Sequence, residues 1–252
     1  MDIQTYLNRM NTTVEQPSLQ YLASLQTKHL KTIPFENLDV LRHVPIYLNV
    51  NTIYEKIIIN ERGGYCYEVN GLLQWALNEL NFDCHLAGAT VRRPNETWAK
   101  EHTHATIIVH LDQPYLVDVG FGALTPRIPV PLDGSEVTTD VGETYKIVPV
   151  ERDVFDLKRA SQTDLERTLY RFSTTPKKLA DFHEGCVFNQ VSKDSTFTHT
   201  DIISLFTDEG RITLKDHLLT SHTKTGPVEQ ELTIGEKDEI LKKMFRIRLK
   251  ES

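Results

Sequence analysis

Three residue types in this chain could cooperate in nucleophilic catalysis: a thiol at Cys66, an imidazole at His104 and a carboxylate at Asp118. In such a set the thiolate attacks an acyl carbon, and the imidazole takes the thiol proton and handles later proton transfers. The carboxylate fixes the imidazole tautomer and stabilises its charged form. Cys66 draws attention because an arginine and two glycines (Arg62-Gly-Gly-Tyr) lead straight into it. Behind it Val69, Leu72, Leu73, Ala76, Leu77 and Leu80 recur at helical spacing. The thiol is therefore expected at a helix N-terminus, where unpaired N–H groups favour negative charge and should lower its pKa from about 8.5. Gly63 and Gly64 permit a close-packed approach that a side chain would obstruct. A cysteine near a helix start is more often a small buried hydrophobe, so the assignment depends on a base and a carboxylate elsewhere.

His104 opens the strand-like run His-Ala-Thr-Ile-Ile-Val-His directly after a polar loop, where a side chain can face a cleft. Asp118 lies inside the apolar stretch Tyr115-Leu-Val-Asp-Val, and an ionised aspartate there needs a partner. If strands 104–111 and 115–119 pair through an odd-length loop centred on Asp112, Asp118 falls opposite Thr106 and diagonal to His104, on one sheet face. Diagonal neighbours are roughly 7 to 8 Å apart at the backbone, within reach of an imidazole–carboxylate hydrogen bond. An even loop would place them on opposite faces. The alternative for His104 and Asp118 is a buried polar pair that only holds a hairpin together.

The elements that must position these groups follow from pattern. Helices are expected over 2–10, from the Pro17-Ser18 cap to before Pro34, from a cap at Thr52 through Ile58, and from the cysteine to about Leu80. Residues 33–38 read as an ordered loop. Strands are expected at 85–92, 103–111, 115–119, 144–150, 154–160, 167–172, 185–192, 202–206, 211–214 and 217–220, with an exposed loop over 93–102. A last helix begins near Gly235 and turns Ile240, Leu241, Met244 and Phe245 inward. The chain thus divides into a helical bundle carrying the nucleophile (1–83), an antiparallel barrel or sandwich carrying the histidine and aspartate (84–194), and a smaller α/β lid (195–252).

Composition narrows the function. The net charge of −7 and the absence of any run of lysines or arginines argue against nucleic acid or an anionic membrane as partner. No stretch approaches about 18 consecutive apolar residues, and the first residues lack a basic flank with an apolar signal core, so a cytoplasmic protein is expected. Cys66, Cys84 and Cys186 are too few and too irregularly spaced for a disulfide framework or a zinc site. No metal is expected, and Cys84 and Cys186 read as structural.

Four motifs now stand together: Pro34-Phe-Glu-Asn-Leu38, Arg62-Gly-Gly-Tyr-Cys66-Tyr-Glu68, Thr103-His104 at the head of a strand, and Val117-Asp118-Val-Gly-Phe-Gly122. In order and spacing they resemble the arylamine N-acetyltransferases, well matched over residues 34–122 and in length and strand texture beyond. The resemblance implies a helical bundle and β-barrel arranged like a papain-type core, with an α/β lid. It implies acetyl-coenzyme A as acyl donor and an arylamine, arylhydrazine or N-hydroxyarylamine as acceptor, with Cys66, His104 and Asp118 as the catalytic set. Phe35 and Phe121 would wall a flat acceptor, their alternative being ordinary core packing. Thr103 and Gly122 would approach the coenzyme. Arg92, Arg93 and Lys100 could meet its phosphates or form a solvated basic loop, and Arg62 and Glu68 would anchor the cysteine loop, pairing with backbone or with bundle carboxylates such as Glu36. A papain-like or transglutaminase-like amide hydrolase, an amide synthase acting on a tethered polyketide amine, and a non-catalytic binding module remain as alternatives.

Overall fold

The computed structural model describes residues 1–161, 164–224 and 226–249; the last three residues of the 195–252 segment lie outside them. The chain begins as a helical bundle. Helix α1 (Ile3–Arg9) is capped by Asp2, whose carboxylate accepts the N–H groups of Gln4 and Thr5. Helix α2 (Leu19–Thr32) is capped by the Ser18 hydroxyl, and it stops at Ile33, before Pro34. Residues 33–38 are more regular than a loop: Phe35–Glu36 form strand β1, and the short helix α3 (Leu38–Leu41) follows. Helix α4 (Val50–Tyr54) starts three residues earlier than expected. Asn49, not Thr52, has the extended backbone and the side chain that accepts the N–H groups of Asn51 and Thr52. It continues as a π-helical turn over Glu55–Ile59 and delivers the chain to α5 (Cys66–Glu79).

The second part is an eight-stranded antiparallel sheet made of β2 (Asp83–Val91), β3 (His104–His110), β4 (Pro114–Val117), β5 (Val130–Pro131), β6 (Val137–Thr138), β7 (Thr144–Glu151), β8 (Val154–Ala160) and β9 (Arg167–Lys177). Their spatial order is β5-β4-β3-β2-β9-β8-β7-β6, and β5 returns against β7, so the sheet curls almost shut into a barrel. Along the middle of β2 to β4 both faces are covered, and apolar residues run consecutively there. Leu86, Ile107, Val109 and Val117 pack on the bundle, while Ala87, Ala89, Ile108 and Leu116 fill the barrel. Residues 183–191, expected as a strand over 185–192, form helix α6 (His183–Val191). Gly185, Cys186 and Asn189 face inward at helical spacing while Val187 and Val191 stay exposed, so tertiary burial overrides the strand preference of valine and phenylalanine.

The last part is a sheet of β10 (Ile202–Phe206), β11 (Arg211–Lys215), β12 (Leu218–Thr223) and β13 (Gly226–Glu231), backed by α7 (Ile234–Lys243). Strand β13 has no hydrophobic alternation. It is an exposed edge, which is why Pro227 and three polar residues are tolerated there. Helix α7 ends before Met244, and Phe245 enters the lid core from the turn that follows. Strand β1 pairs antiparallel with β10, so the lid sheet borrows its outermost strand from the bundle. No helix among the described residues is long and apolar enough to cross a membrane.

Candidate active site

The cysteine loop is held by a buried ion network. Arg62 pairs with Glu36 and Asp39, both at 2.8 Å, and Lys56 pairs with Asp39 and Glu68, both at 2.8 Å. Burial disfavours both cations, but the surrounding carboxylates outweigh it and hold Lys56 and Arg62 above their usual ranges. Glu68 also accepts the N–H of Tyr65 at 3.1 Å, closing the first turn of α5 and fixing the rotation of the helix that starts at Cys66. The approach is as tight as the two glycines suggest: a Cβ on Gly63 would lie 2.2 Å from the Pro34 carbonyl oxygen.

The hairpin has the expected register. Residues 111–113 form an odd-length loop, and Ile107 faces Val117, which carries Thr106 opposite Asp118 and leaves His104 on the diagonal. His104 Nε2 and Asp118 Oδ2 are 2.7 Å apart, and both side chains are buried. Asp118 accepts three further hydrogen bonds: Tyr170 Oη donates to Oδ2 at 2.8 Å, and Asn70 Nδ2 and the Gly120 N–H donate to Oδ1 at 2.9 and 2.7 Å. Burial opposes the charge, but attraction to His104 and these donors more than offset it and hold the carboxyl below its ordinary range. With Nε2 engaged by the carboxylate, Nδ1 is the nitrogen left for the thiol.

The expected lowering of the Cys66 pKa is not what the site produces. Burial pushes the thiol well above the ordinary range. The N–H groups of Ala105 and Tyr67 pull it down, and the Asp118 charge adds to the rise. A helix start supplies a favourable N–H, but complete desolvation of a thiolate costs more. The helix start alone therefore does not favour the thiolate, and ionisation calls for a base beside the thiol.

Cys66 and His104 share a cavity of about 380 Å3, and Phe35, Phe121, Thr103 and Gly122 line it with them. Phe121 makes edge contacts with the His104 ring, centroids 5.1 Å apart, and with Tyr170 at 4.9 Å, so it packs the His104 imidazole as well as the pocket. Phe35 meets Phe197 at 6.0 Å. The Thr103 hydroxyl donates to the Lys100 carbonyl, and its own carbonyl lies 3.9 Å from the Cys66 sulfur. Arg92 and Arg93 line the same cavity, whereas Lys100 borders a recess outside it with Arg93 and Trp98. The loop over 93–102 is not wholly solvated, because the Trp98 ring sits between the guanidinium groups of Arg92 and Arg171, each 4.8 Å from its centroid.

Sequence reasoning missed Asn70, Tyr170, Gly120, Phe188 and Asn189. Asn70 left a signal: it lies four residues after Cys66, an amide on the buried side of an apolar helix. It donates to the Ala105 carbonyl at 2.7 Å and accepts the Val119 N–H at 2.9 Å, clipping α5 to both strands of the hairpin. Gly120 is required by contact, since a Cβ there would lie 2.7 Å from the Cys66 Cα and 2.7 Å from Asn70 Nδ2. Phe188 and Asn189 enter the cavity wall from α6, a stretch whose element type was misjudged.

A thiol at a helix start and an imidazole–carboxylate pair on adjoining strands, set between a helical bundle and a barrel, define a cysteine enzyme with a papain-like core. The N-acetyltransferase family model matches residues 18–252. The arylamine N-acetyltransferase of Mycolicibacterium smegmatis is 33% identical over 237 residues, covering 91% of this chain and 85% of the relative. An arylamine N-acetyltransferase structure from Bacillus cereus, described as having a Cys-His-Glu catalytic triad, superimposes with a TM-score of 0.91 at 25% identity. That match covers 99% of this chain and 100% of the other. The Mycobacterium marinum enzyme in complex with CoA superimposes with a TM-score of 0.89 at 31% identity, covering 98% and 93%. The chain belongs to the arylamine N-acetyltransferase family.

Proposed function

We propose that this enzyme moves an acetyl group from acetyl-coenzyme A to an arylamine, arylhydrazine or N-hydroxyarylamine in two steps, through a thioester on Cys66, and that it acts in the cytoplasm. In the first step the Cys66 proton passes to His104 as the sulfur attacks the acetyl carbon. A new C–S bond forms, the C–S bond to the coenzyme breaks, and the coenzyme sulfur leaves with the proton that His104 returns. In the second step the acceptor nitrogen attacks the acetyl carbon, a C–N bond forms, the bond to Cys66 breaks, and the nitrogen's proton returns through His104 to sulfur. Donor and acyl-enzyme are both thioesters, so the first step is nearly balanced in bond energy. Asp118 holds the imidazole with Nδ1 free to accept.

The observation that carries this reading is the buried Cys66 and the His104–Asp118 pair on one aromatic-walled cavity. Phe35 and Phe121 act as walls for a flat acceptor and keep water from the thioester, without which the enzyme would be a slow thioesterase. Thr103 and Gly122 adjoin the coenzyme's acyl end, with Arg92 and Arg93 toward its phosphates. The segments 1–83, 84–194 and 195–252 serve as nucleophile-bearing bundle, barrel and lid. Intact-protein mass spectrometry after mixing with acetyl-coenzyme A tests the reading. An acetyl adduct on wild type and none on Cys66→Ala is expected, with discharge by an added arylamine. A folded protein that acquires no adduct would overturn the donor assignment, and an adduct discharged only by water would favour the hydrolase.

A further inference from the structure

A second cavity, of about 410 Å3, opens where the barrel meets the lid and shares no lining residue with the acyl pocket. Arg127 comes from the segment before β5, Arg159 from β8, Arg211 from β11 and His222 from β12, so its walls belong to both parts. Two of the three guanidinium groups share one buried carboxylate: Arg159 and Arg211 both donate to Oε1 of Glu143, at 2.9 and 3.2 Å. Arg159 also pairs with Asp164, a half-exposed side chain, at 2.8 Å. Arg127 is buried without any carboxylate at ion-pair distance among the described residues. It donates to the carbonyls of Thr207 and Gly210 and lies 4.9 Å above the Phe206 ring.

Buried cations without counter-charges are costly, and buried donors without acceptors add to that cost. This cavity has both. The Nε atoms of Arg127, Arg159 and Arg211 are all buried with no hydrogen-bond partner among the described residues. Burial holds Arg127 and Arg211 below the usual guanidinium range despite the pull of Asp140 and Glu143 on the first and of Glu143 on the second, and the charge of Arg159 adds to the effect at Arg211. Lys224 adds a further cation to the lining, and the opposing Glu209 is exposed. A planar fork of N–H donors matches the paired oxygens of a carboxylate or a phosphate, and of the two a phosphate carries the more charge and can be shared among three guanidinium groups. We infer that this cavity binds a phosphate-class oxyanion, either the free ion or the terminal phosphate of a small ester, held by Arg127, Arg159 and Arg211. Such a ligand would supply the missing charge and tie the barrel to the lid. The inference does not depend on the acyl chemistry.

The test is thermal unfolding of the full chain with inorganic phosphate, sodium chloride being adjusted to constant ionic strength. At ten times the dissociation constant the wild-type Tm should rise by about 4 °C. Arg211→Gln and Arg127→Lys, the second keeping the charge but losing the fork, should abolish the rise, and Arg93→Gln at the acyl cavity should retain it. The same variant-dependent rise with methyl phosphate would admit an ester as the source, while a response to inorganic phosphate alone would identify the free ion. No rise in wild type, an equal rise in every variant, or a rise lost in Arg93→Gln instead would overturn the inference. If neither arginine variant folds, the phosphorus NMR line width of inorganic phosphate decides it on wild type and Arg93→Gln: broadening in both, reversed by excess vanadate, supports the site, and an unchanged wild-type line or broadening lost in Arg93→Gln refutes it.

Discussion

Replacement of Asp118 by asparagine tests the proposed chemistry most sharply, because it keeps the shape and changes only what the two side-chain atoms can accept. Asp118 takes four hydrogen bonds, two on each oxygen, and is fully buried. The Oδ1 side faces two obligate donors, the Asn70 amide and the Gly120 N–H, so the asparagine carbonyl must turn that way. Its NH2 group then faces His104 Nε2, which can only accept from it. The ring proton moves to Nδ1, and the imidazole offers the thiol a donor where it needs an acceptor. All four hydrogen bonds lose their charge assistance, which removal of a buried charge partly offsets, for a net cost of about 1 to 3 kcal/mol that leaves the fold intact. The cost in rate should be about 10³ to 10⁴, or roughly 4 to 5.5 kcal/mol of barrier. The assay is the rate of Cys66 acetylation by mass spectrometry, with circular dichroism as the check on folding. Acetylation within tenfold of wild type in a folded Asp118→Asn protein would refute the tautomer argument. An unfolded variant would show instead that the pair's main work is to staple the hairpin.

Three other outcomes follow from the same geometry. In His104→Ala the thiol should show its burial-raised pKa unrelieved, so iodoacetamide alkylation of Cys66 should be slower than in wild type at every pH below the ordinary thiol range; equal rates would mean that the imidazole is not the base. Gly120→Ala should cost about 1 to 3 kcal/mol in urea unfolding and most of the acetylation rate, since its Cβ meets the backbone of Cys66; a variant as stable and active as wild type would show that this contact yields easily. His29 is buried beneath the bundle with Tyr6 Oη 3.0 Å from its Nδ1, and burial lowers its pKa to about 3, against 6.5 when exposed. A depressed folded-state value means the unfolded chain binds the proton first, so this contribution is complete above pH 6.5 and is lost as pH falls toward 3. Between pH 6.5 and 4.5 urea unfolding should register a loss of about 2 to 3 kcal/mol that His29→Gln largely removes, and an equal loss in that variant would assign the acid sensitivity elsewhere.

The parts of the site visible in sequence are those whose geometry is local or whose patterns repeat. The helix behind Cys66 follows from its apolar spacing, and the His104–Asp118 contact follows from loop parity, because a one-residue slip would move every side chain to the other face. The Arg62–Glu36 pair was anticipated because a buried arginine needs a carboxylate and Glu36 stood in a neighbouring motif. What stayed hidden depends on elements far apart in sequence. Tyr170 reaches Asp118 from β9 across the barrel, and nothing around it marks its hydroxyl as different from that of any other strand tyrosine. The thiol's raised pKa also follows from burial on all sides, which no local pattern reports. Helix α6 reads as a strand because its valines and phenylalanine favour strands, and only its placement against Tyr65, Tyr67 and Thr103 decides otherwise.

The pairing of β1 with β10 also bears on the order of events during synthesis. Phe35 forms a parallel bridge with Gly64 in the cysteine loop and at the same time pairs with Ser204 in the lid sheet. The chain leaves the ribosome N-terminus first, so β1 waits for a partner strand that begins only at Ile202. Until residues 202–206 emerge, the Phe35 edge of the cysteine loop has no sheet partner, so its pairing is a late event, and a substitution that weakens β10 should loosen the loop before Cys66 as well as the sheet it belongs to.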